Sequence, residues 1–362
     1  MKRLVIVSNR VARVKNKSGA GGLAVALAST LRESGGVWFG WSGKVAEVAV
    51  DAPKISTTGG VTYATVDLNE DDYRDYYKGY ANGTLWPLFH YRVDLTSFDR
   101  SYYEGYLRVN ALFARQLAPL LKPDDIVWVH DYHLIPLGEE LRRMGCTMPI
   151  GFFLHIPFPV PQIFTTLFNH KKLVRSLLEY DLVGLQTKSD VKALVEYITQ
   201  EMGGTVSGDG IANYRKYTSR IGAFPIGIDP EEFSALACSP DAQHQSERMK
   251  ESLAGRKLVI GVDRLDYTKG LLERLRAFDR LLELYPDNQG HITLVQITPR
   301  SRSDVPEYID MRHELEAAAG RINGRFAEFD WVPVRYINRA YSQRSLAGLF
   351  RASDVGLVTP LR

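Results

Sequence analysis

Short apolar runs rich in β-branched residues recur along this chain, and a longer stretch with helical periodicity separates each from the next. Eight such runs stand out, at residues 4–7, 61–66, 126–130, 150–154, 182–185, 258–262, 292–297 and 355–358. Most are apolar at successive positions, not alternate ones, as expected of parallel strands covered on both faces. Between them, Tyr106, Val109, Phe113, Leu117 and Leu120 form one stripe, and Leu271, Leu275, Phe278 and Leu282 form another. Thr187 with Asp190 predicts a capping box ahead of Val191, Leu194 and Ile198. Repeated strand, helix and strand of this kind predicts a doubly wound α/β fold.

The 362 residues are too many for one typical core. Two domains are expected, at residues 1–235 and 257–362, joined by a linker region at 236–256. There the sequence turns polar (ALACSPDAQHQSERMKESLAGR) before a new apolar run starts at Leu258. Two Rossmann-like halves would face a cleft at the carboxyl ends of both sheets. The second half reads as incomplete, because the chain stops as its last strand ends. With 45 basic and 42 acidic residues the net charge is only +3, which argues against a nucleic-acid or membrane-surface protein. Cys146 and Cys238 form neither a disulfide framework nor a metal-ligand spacing. No stretch approaches the roughly 20 apolar residues of a membrane span, and the N-terminus lacks a signal-peptide core. A cytoplasmic location is expected.

Candidate chemistry gathers where strands end. Arg10 lies just past the first strand, and Gly21 with Gly22 opens a helix where bare backbone amides can approach an anion, although a plain turn reads equally well. Asp131, in HDYH, follows the run at 126–130, where an α/β sheet presents groups able to accept hydrogen bonds from sugar hydroxyls. His130 and His133 lack the further ligands of a metal site. His155 ends the next strand in the same way. In VDRLDYTKG, Arg264 and Lys269 precede a helix and suit a diphosphate, the alternative being a surface ion pair with Asp263 or Asp266. Arg300 and Arg302 make another possible anion site. Tyr77 and Trp86 sit in an aromatic-rich stretch that can stack on a sugar or simply fill the core.

The strings VSNR, AGGLAVAL, VWFGWSG, LWPLFHYR, WVHDYHLIPL, IGFFLHIPFP, RLDYTKGL and SDVGLVTPLR together resemble the trehalose-6-phosphate synthases. These are retaining glucosyltransferases of the GT-B fold. The resemblance runs in order from residue 4 to residue 362. It implies UDP-glucose as donor, glucose 6-phosphate as acceptor, no metal cofactor, and a possible homo-oligomer, dimer or tetramer. It also implies roles: Arg10, Tyr77 and Arg302 on the acceptor phosphate, Asp131 on the acceptor sugar, and Trp86 shaping that pocket. On the donor side it implies Gly22 near the diphosphate, Arg264 and Lys269 binding it, His155 beside the glucose, and Tyr341 at the uracil region. The catalytic set so implied is Asp131, His155, Arg264 and Lys269. Front-face attack, with the leaving phosphate taking the acceptor's proton, is the family's expected route. The family's pattern continues past VTPLR into an acidic, glycine-containing segment that this chain lacks. Alternatives are a sister transferase, such as a glucosylglycerol-phosphate synthase or a cyclitol-using enzyme, and a non-catalytic sugar-phosphate sensor.

Overall fold

The computed structural model describes residues 2–11, 27, 30–31, 33–47, 52–299 and 306–361. The chain separates into two compact units between Ile226 and Gly227. That division falls earlier than the expected boundary at 235, and most of the expected linker region at 236–256 lies in helices. Helices Pro230–Ala237 and Pro240–Leu253 are capped by Asp229 and Ser239, each with proline in the first turn. The second buries Ala242, Ser246 and Leu253 and lies so close to helix Gln343–Ala352 that a Cβ on Gly348 would meet the Ala242 carbonyl oxygen at 2.2 Å. Its polar residues are the solvent face of a packed helix, which explains the polar look of this stretch.

Among the described residues, ten strands form one sheet in the first unit. They are β1 (Leu4–Arg10), β2 (Gly36–Val45), β3 (Lys54–Thr58), β4 (Val61–Leu68), β5 (Ile126–His130), β6 (Ile150–Phe153), β7 (Leu182–Leu185), β8 (Thr205–Val206), β9 (Ile211–Tyr214) and β10 (Tyr217–Ala223). Their order is β3-β4-β2-β1-β5-β6-β7-β10-β9-β8. The pairs from β4 across to β10 are parallel, while β3 and the β10-β9-β8 edge are antiparallel. The central strands are buried as expected: Ile6, Val7, Val127 and Val129 are inaccessible to solvent, as are Tyr106, Val109, Phe113 and Leu117 of the helix Arg100–Leu117. Each such side chain contributes about 1.5–3 kcal/mol by leaving water. Both sides of the Thr187 and Asp190 capping box form at helix Lys188–Gln200.

Among its described residues the second unit has four parallel strands, β11 (Lys257–Val262), β12 (Ile292–Ile297), β13 (Val334–Ile337) and β14 (Val355–Gly356), in the order β13-β12-β11-β14. The stripe Leu271, Leu275, Phe278 and Leu282 packs against Leu294, Met311, Leu315 and Trp331. Strand order reverses between β1 and β5 in one unit and between β11 and β14 in the other. Open α/β sheets bind ligands at such reversals, outside the carboxyl ends of the strands. No helix among the described residues is long and apolar enough to cross a membrane.

Candidate active site

The first unit gathers its functional groups at the reversal between β1 and β5. Val5, Ile6 and Val7 pair with Val127, Trp128 and Val129, and His130 of β5 lies opposite Phe153 of β6. Residues leaving these strands therefore share one edge: Arg10 from β1, Asp131 after β5 and His155 beyond β6. Asp131 has φ 78° and ψ 164°, a conformation used almost only by glycine and costing about 1–3 kcal/mol elsewhere. Its neighbours hold it there. The carboxylate accepts from the amides of Tyr132 at 3.1 Å and His155 at 3.3 Å, and the Asp131 amide donates to the Phe153 carbonyl at 2.7 Å.

Tyr77 comes from a π-helical segment, Tyr73–Leu85, a rare geometry that recurs at functional sites. Its ring stacks nearly parallel on Tyr73 at 5.5 Å and on His133 at 6.1 Å, and packs against Trp41 at 5.3 Å. Trp41 also lies 5.9 Å from the Arg10 guanidinium, so one indole links the cation to the phenol. The guanidinium rests on Gly43, where a Cβ would come within 2.5 Å of Nε. Asn82 ties the segment to the Asp131 loop, donating to the Tyr77 carbonyl at 2.8 Å and accepting from the Tyr132 hydroxyl at 3.0 Å. Trp86 is only 6% exposed and packs on His90 at 4.2 Å and Tyr132 at 5.6 Å. Its ring is first a core element, with at most an edge to offer a ligand.

His130 is buried, and its Nδ1 lies 3.0 Å from His155 Nε2. Burial pushes the His130 imidazole well below its ordinary range, and His155 adds to that shift. Burial lowers His155 as well, against an opposing pull from the Asp131 carboxylate. Both rings are therefore uncharged at neutral pH. A cavity of about 580 Å³ adjoins the pair, lined largely by apolar groups such as Trp128, Phe152, Phe153 and Phe224. Among the described residues, no three or more His, Cys, Asp or Glu side chains converge as a metal ion would require.

In the second unit, β11 runs through Asp263, Arg264 and Asp266 into the turn Tyr267–Lys269 and the helix Leu271–Leu284. Asp266 is fully buried, accepting from the Thr268 amide at 3.1 Å and from Arg264 Nη2 at 3.0 Å. Arg264 remains 47% exposed, so this pair leaves much of the side chain facing solvent. Asp263 pairs with a different cation. Arg274, wholly buried, donates to Asp263 at 2.6 Å, to Gln296 at 2.8 Å and to Thr359 Oγ1 at 3.0 Å. The Thr359 hydroxyl in turn reaches the carbonyls of Lys269 at 3.2 Å and Gly270 at 3.1 Å. Gly270 has φ 58°, and a Cβ there would meet the Thr359 carbonyl oxygen at 2.2 Å. Both acids of the loop are thus neutralised, and Lys269 has no ion pair among the described residues. Two cations ahead of a helix N-terminus suit an anionic ligand. Tyr341, after β13, accepts from Arg339 Nη2 at 2.8 Å and packs on the cluster containing Leu258, Ile260 and Leu349.

Arg10, Tyr77, Trp86, Asp131 and His155 thus belong to the first unit, linked through Trp41, Tyr132 and His133. Arg264, Lys269 and Tyr341 belong to the second. Gly21, Gly22, Arg300 and Arg302 lie outside the described residues. Sequence reading missed Trp41, Gly43, the His130 contact and the Arg274 network. Only Arg274 left a usable sign: a cation three residues after Leu271, on the buried face of its helix.

The family profile of glycosyltransferase family 20 matches residues 2–362. A trehalose-6-phosphate synthase of Cronobacter sakazakii is 48% identical, over 100% of this chain and 76% of its own length. A crystal structure of an α,α-trehalose-phosphate synthase (UDP-forming) from Burkholderia xenovorans in complex with glucose-6-phosphate superposes with a TM-score of 0.96 at 49% identity, covering 99% of this chain and 79% of that one. An E. coli structure bound with UDP-2-fluoro glucose gives a TM-score of 0.93 at 45% identity, covering 99% and 78%. One unit holds a strained carboxylate and a phenol–indole–guanidinium contact, and the other holds a cation pair at a helix start. This chain belongs to glycosyltransferase family 20.

Proposed function

We propose that this enzyme is an α,α-trehalose-phosphate synthase (UDP-forming), transferring glucose from UDP-glucose to glucose 6-phosphate to give α,α-trehalose 6-phosphate and UDP. The bond from the donor anomeric carbon to the β-phosphate oxygen breaks, and a bond from that carbon to the acceptor's anomeric oxygen forms. The departing phosphate takes the hydroxyl proton, and attack from the leaving-group face retains the α configuration. Arg264 and Lys269 act on the negative charge that grows on the departing diphosphate. Arg10 and Tyr77, with Arg302, hold the acceptor phosphate so that its anomeric hydroxyl is oriented for attack. Asp131 accepts hydrogen bonds from acceptor hydroxyls, Trp86 bounds that pocket, and His155 lies beside the donor glucose. Gly21 and Gly22 offer backbone amides to the diphosphate, and Tyr341 supports the base.

The observation that most supports this reading is Asp131, kept at a glycine-like φ by bonds that also hold His155. Two cations can supply the charge stabilisation that a divalent ion gives elsewhere, so turnover is expected to persist in chelator. A cytoplasmic location and a homo-oligomer remain part of the proposal. The test is product analysis after incubating the purified enzyme with UDP-glucose and glucose 6-phosphate. Trehalose 6-phosphate and UDP in equal amounts support the assignment. Transfer only to another acceptor would replace it with a sister activity, and glucose 6-phosphate binding without any transfer would replace it with a sensor.

A further inference from the structure

We propose that His130 is a positioning residue that sets the tautomer of His155, leaving the His155 proton on Nδ1 as a hydrogen-bond donor. The inference rests on the reading above, in which His155 lies beside the donor glucose. His130 itself is 1% exposed, so it acts through His155 and not on a substrate.

The argument is a count of protons. The contact between His130 Nδ1 and His155 Nε2 is a 3.0 Å hydrogen bond, so one of the two nitrogens carries a proton and the other offers a lone pair. Burial keeps both rings uncharged, so each holds one proton. Two arrangements remain. If His155 donates, His130 must carry its own proton on Nε2. That atom is buried and has no hydrogen-bond partner among the described residues; the rings of Trp128 at 4.4 Å and Phe153 at 6.5 Å lie alongside. A buried N–H donor would then be orphaned. If His130 donates from Nδ1, its Nε2 is a bare lone pair in apolar surroundings. In folded proteins an orphaned buried N–H donor is rarer than an under-satisfied acceptor. The second arrangement holds, and it puts the His155 proton on Nδ1.

The consequence bears on what His155 can bind. An N–H donor can meet any sugar oxygen, whether hydroxyl, ring or glycosidic, while a bare nitrogen can only accept from a hydroxyl. His155 is anchored at both ends, its backbone amide on Asp131 at 3.3 Å and its ring on His130. The ring therefore faces the donor sugar in a preset direction and tautomer, without needing to reorganise during the reaction. Ordinarily a free imidazole favours the opposite tautomer, with the proton on Nε2. His130 reverses that preference.

The experiment is nitrogen-15 NMR of the histidine side chains in the ligand-free enzyme near pH 7.5, with the His155 signals assigned by difference from His155→Asn. The expected result is a protonated Nδ1 and an unprotonated Nε2 for His155. The reverse pattern, or a solution-like mixture, overturns the proposal. In His130→Leu the His155 signals should shift to the Nε2-protonated form, and kcat should drop about tenfold, the loss expected from one hydrogen bond. His130→Asn, whose side-chain amide can donate from near the Nδ1 position, should restore most of both. A His130→Leu enzyme with unchanged tautomer and kcat would also overturn the proposal. If His130→Leu does not fold, the wild-type spectrum decides alone. That spectrum needs no substrate: the expected tautomer in an enzyme making no trehalose 6-phosphate would fault the functional reading and leave the pair intact.

Discussion

The two units prepare for ligands in opposite ways. In the first, geometry is set in advance by strain and ring packing. Asp131 is held at φ 78°, Tyr77 is stacked between Tyr73 and His133, and two neutral imidazoles are locked together. In the second, what is set in advance is charge. Asp266 and Asp263 are each matched by an arginine, while Lys269 has no ion pair among the described residues. Rigid, mostly uncharged surfaces discriminate between sugars by shape and hydrogen bonding. Concentrated positive charge serves a diphosphate, whose demand grows as the leaving bond breaks. Under the proposed function, selectivity and rate thereby fall to different parts of the chain.

That contrast can be broken experimentally. The largest effect should come from Arg264→Ala, which removes a donor from the charge that develops in the transition state. Its kcat is expected to fall about 100- to 1000-fold with little change in KM for glucose 6-phosphate, as steady-state kinetics with both substrates varied would show. A raised acceptor KM with normal kcat would mean that the cation loop is not devoted to the leaving group.

Next in size is Asp131. Asp131→Asn and Asp131→Gly should each lower kcat/KM by about 10- to 100-fold, the loss expected for a hydrogen bond to a charged group. Asp131→Gly should be more stable than Asp131→Ala, because both lose the carboxylate's bonds and only glycine relaxes the strained φ. About 1–3 kcal/mol of relief would place the Tm of Asp131→Gly above that of Asp131→Ala. Equal melting temperatures would show that the strain is not stored at this position.

Gly43→Ala probes the other half of the first unit. A methyl group within 2.5 Å of Arg10 Nε, at a residue with φ 86°, must displace the guanidinium from its bed. The KM for glucose 6-phosphate should rise about tenfold, the cost of one misplaced bond to a charged group, with the UDP-glucose KM unaltered. A shift in the donor KM instead would blur the division of labour.

Acid should produce the smallest change. The folded pKa of both His130 and His155 is lowered, whereas in the unfolded chain each takes up its proton near pH 6.5. Below that value the unfolded state binds more protons than the folded state, so stability declines as pH falls. The Tm of the native enzyme should drop more between pH 6.5 and 5 than that of His130→Asn, by a few degrees at most. Parallel curves would mean that the imidazole pair titrates normally.

How much of this was readable beforehand depended on whether short-range pattern or long-range contact decides the feature. The runs at 126–130, 182–185 and 292–297 match β5, β7 and β12 to the residue, because buried parallel strands are apolar throughout. β2 was missed because GVWFGWSGKV mixes glycine with tryptophan and carries no plain β-branched run. β3 and β9 are short, polar and antiparallel, and the expected strand at 355–358 ends at Gly356. The π-helical segment could not be read from a 3.6-residue period. Among the candidate site residues, Asp131, His155, Arg264 and Lys269 could be singled out because they follow strands in a fold that presents groups there. The strain at Asp131, the seat of Arg10 on Gly43 and the pairing of His130 with His155 depend on φ angles and side-chain approach across 24 to 33 residues, which no local pattern encodes.

The bond from Arg274 to Thr359 also imposes an order of events on synthesis. It joins residues 85 apart, and Thr359 reaches back 90 residues to Lys269. The turn carrying the two cations is emitted from the ribosome long before the residue that latches it. Contacts of such long sequence separation form late. The nascent chain can complete the stacking of Tyr77 on Tyr73 and His133 while the cation turn still lacks its latch, so that turn settles after the first unit's aromatic surface.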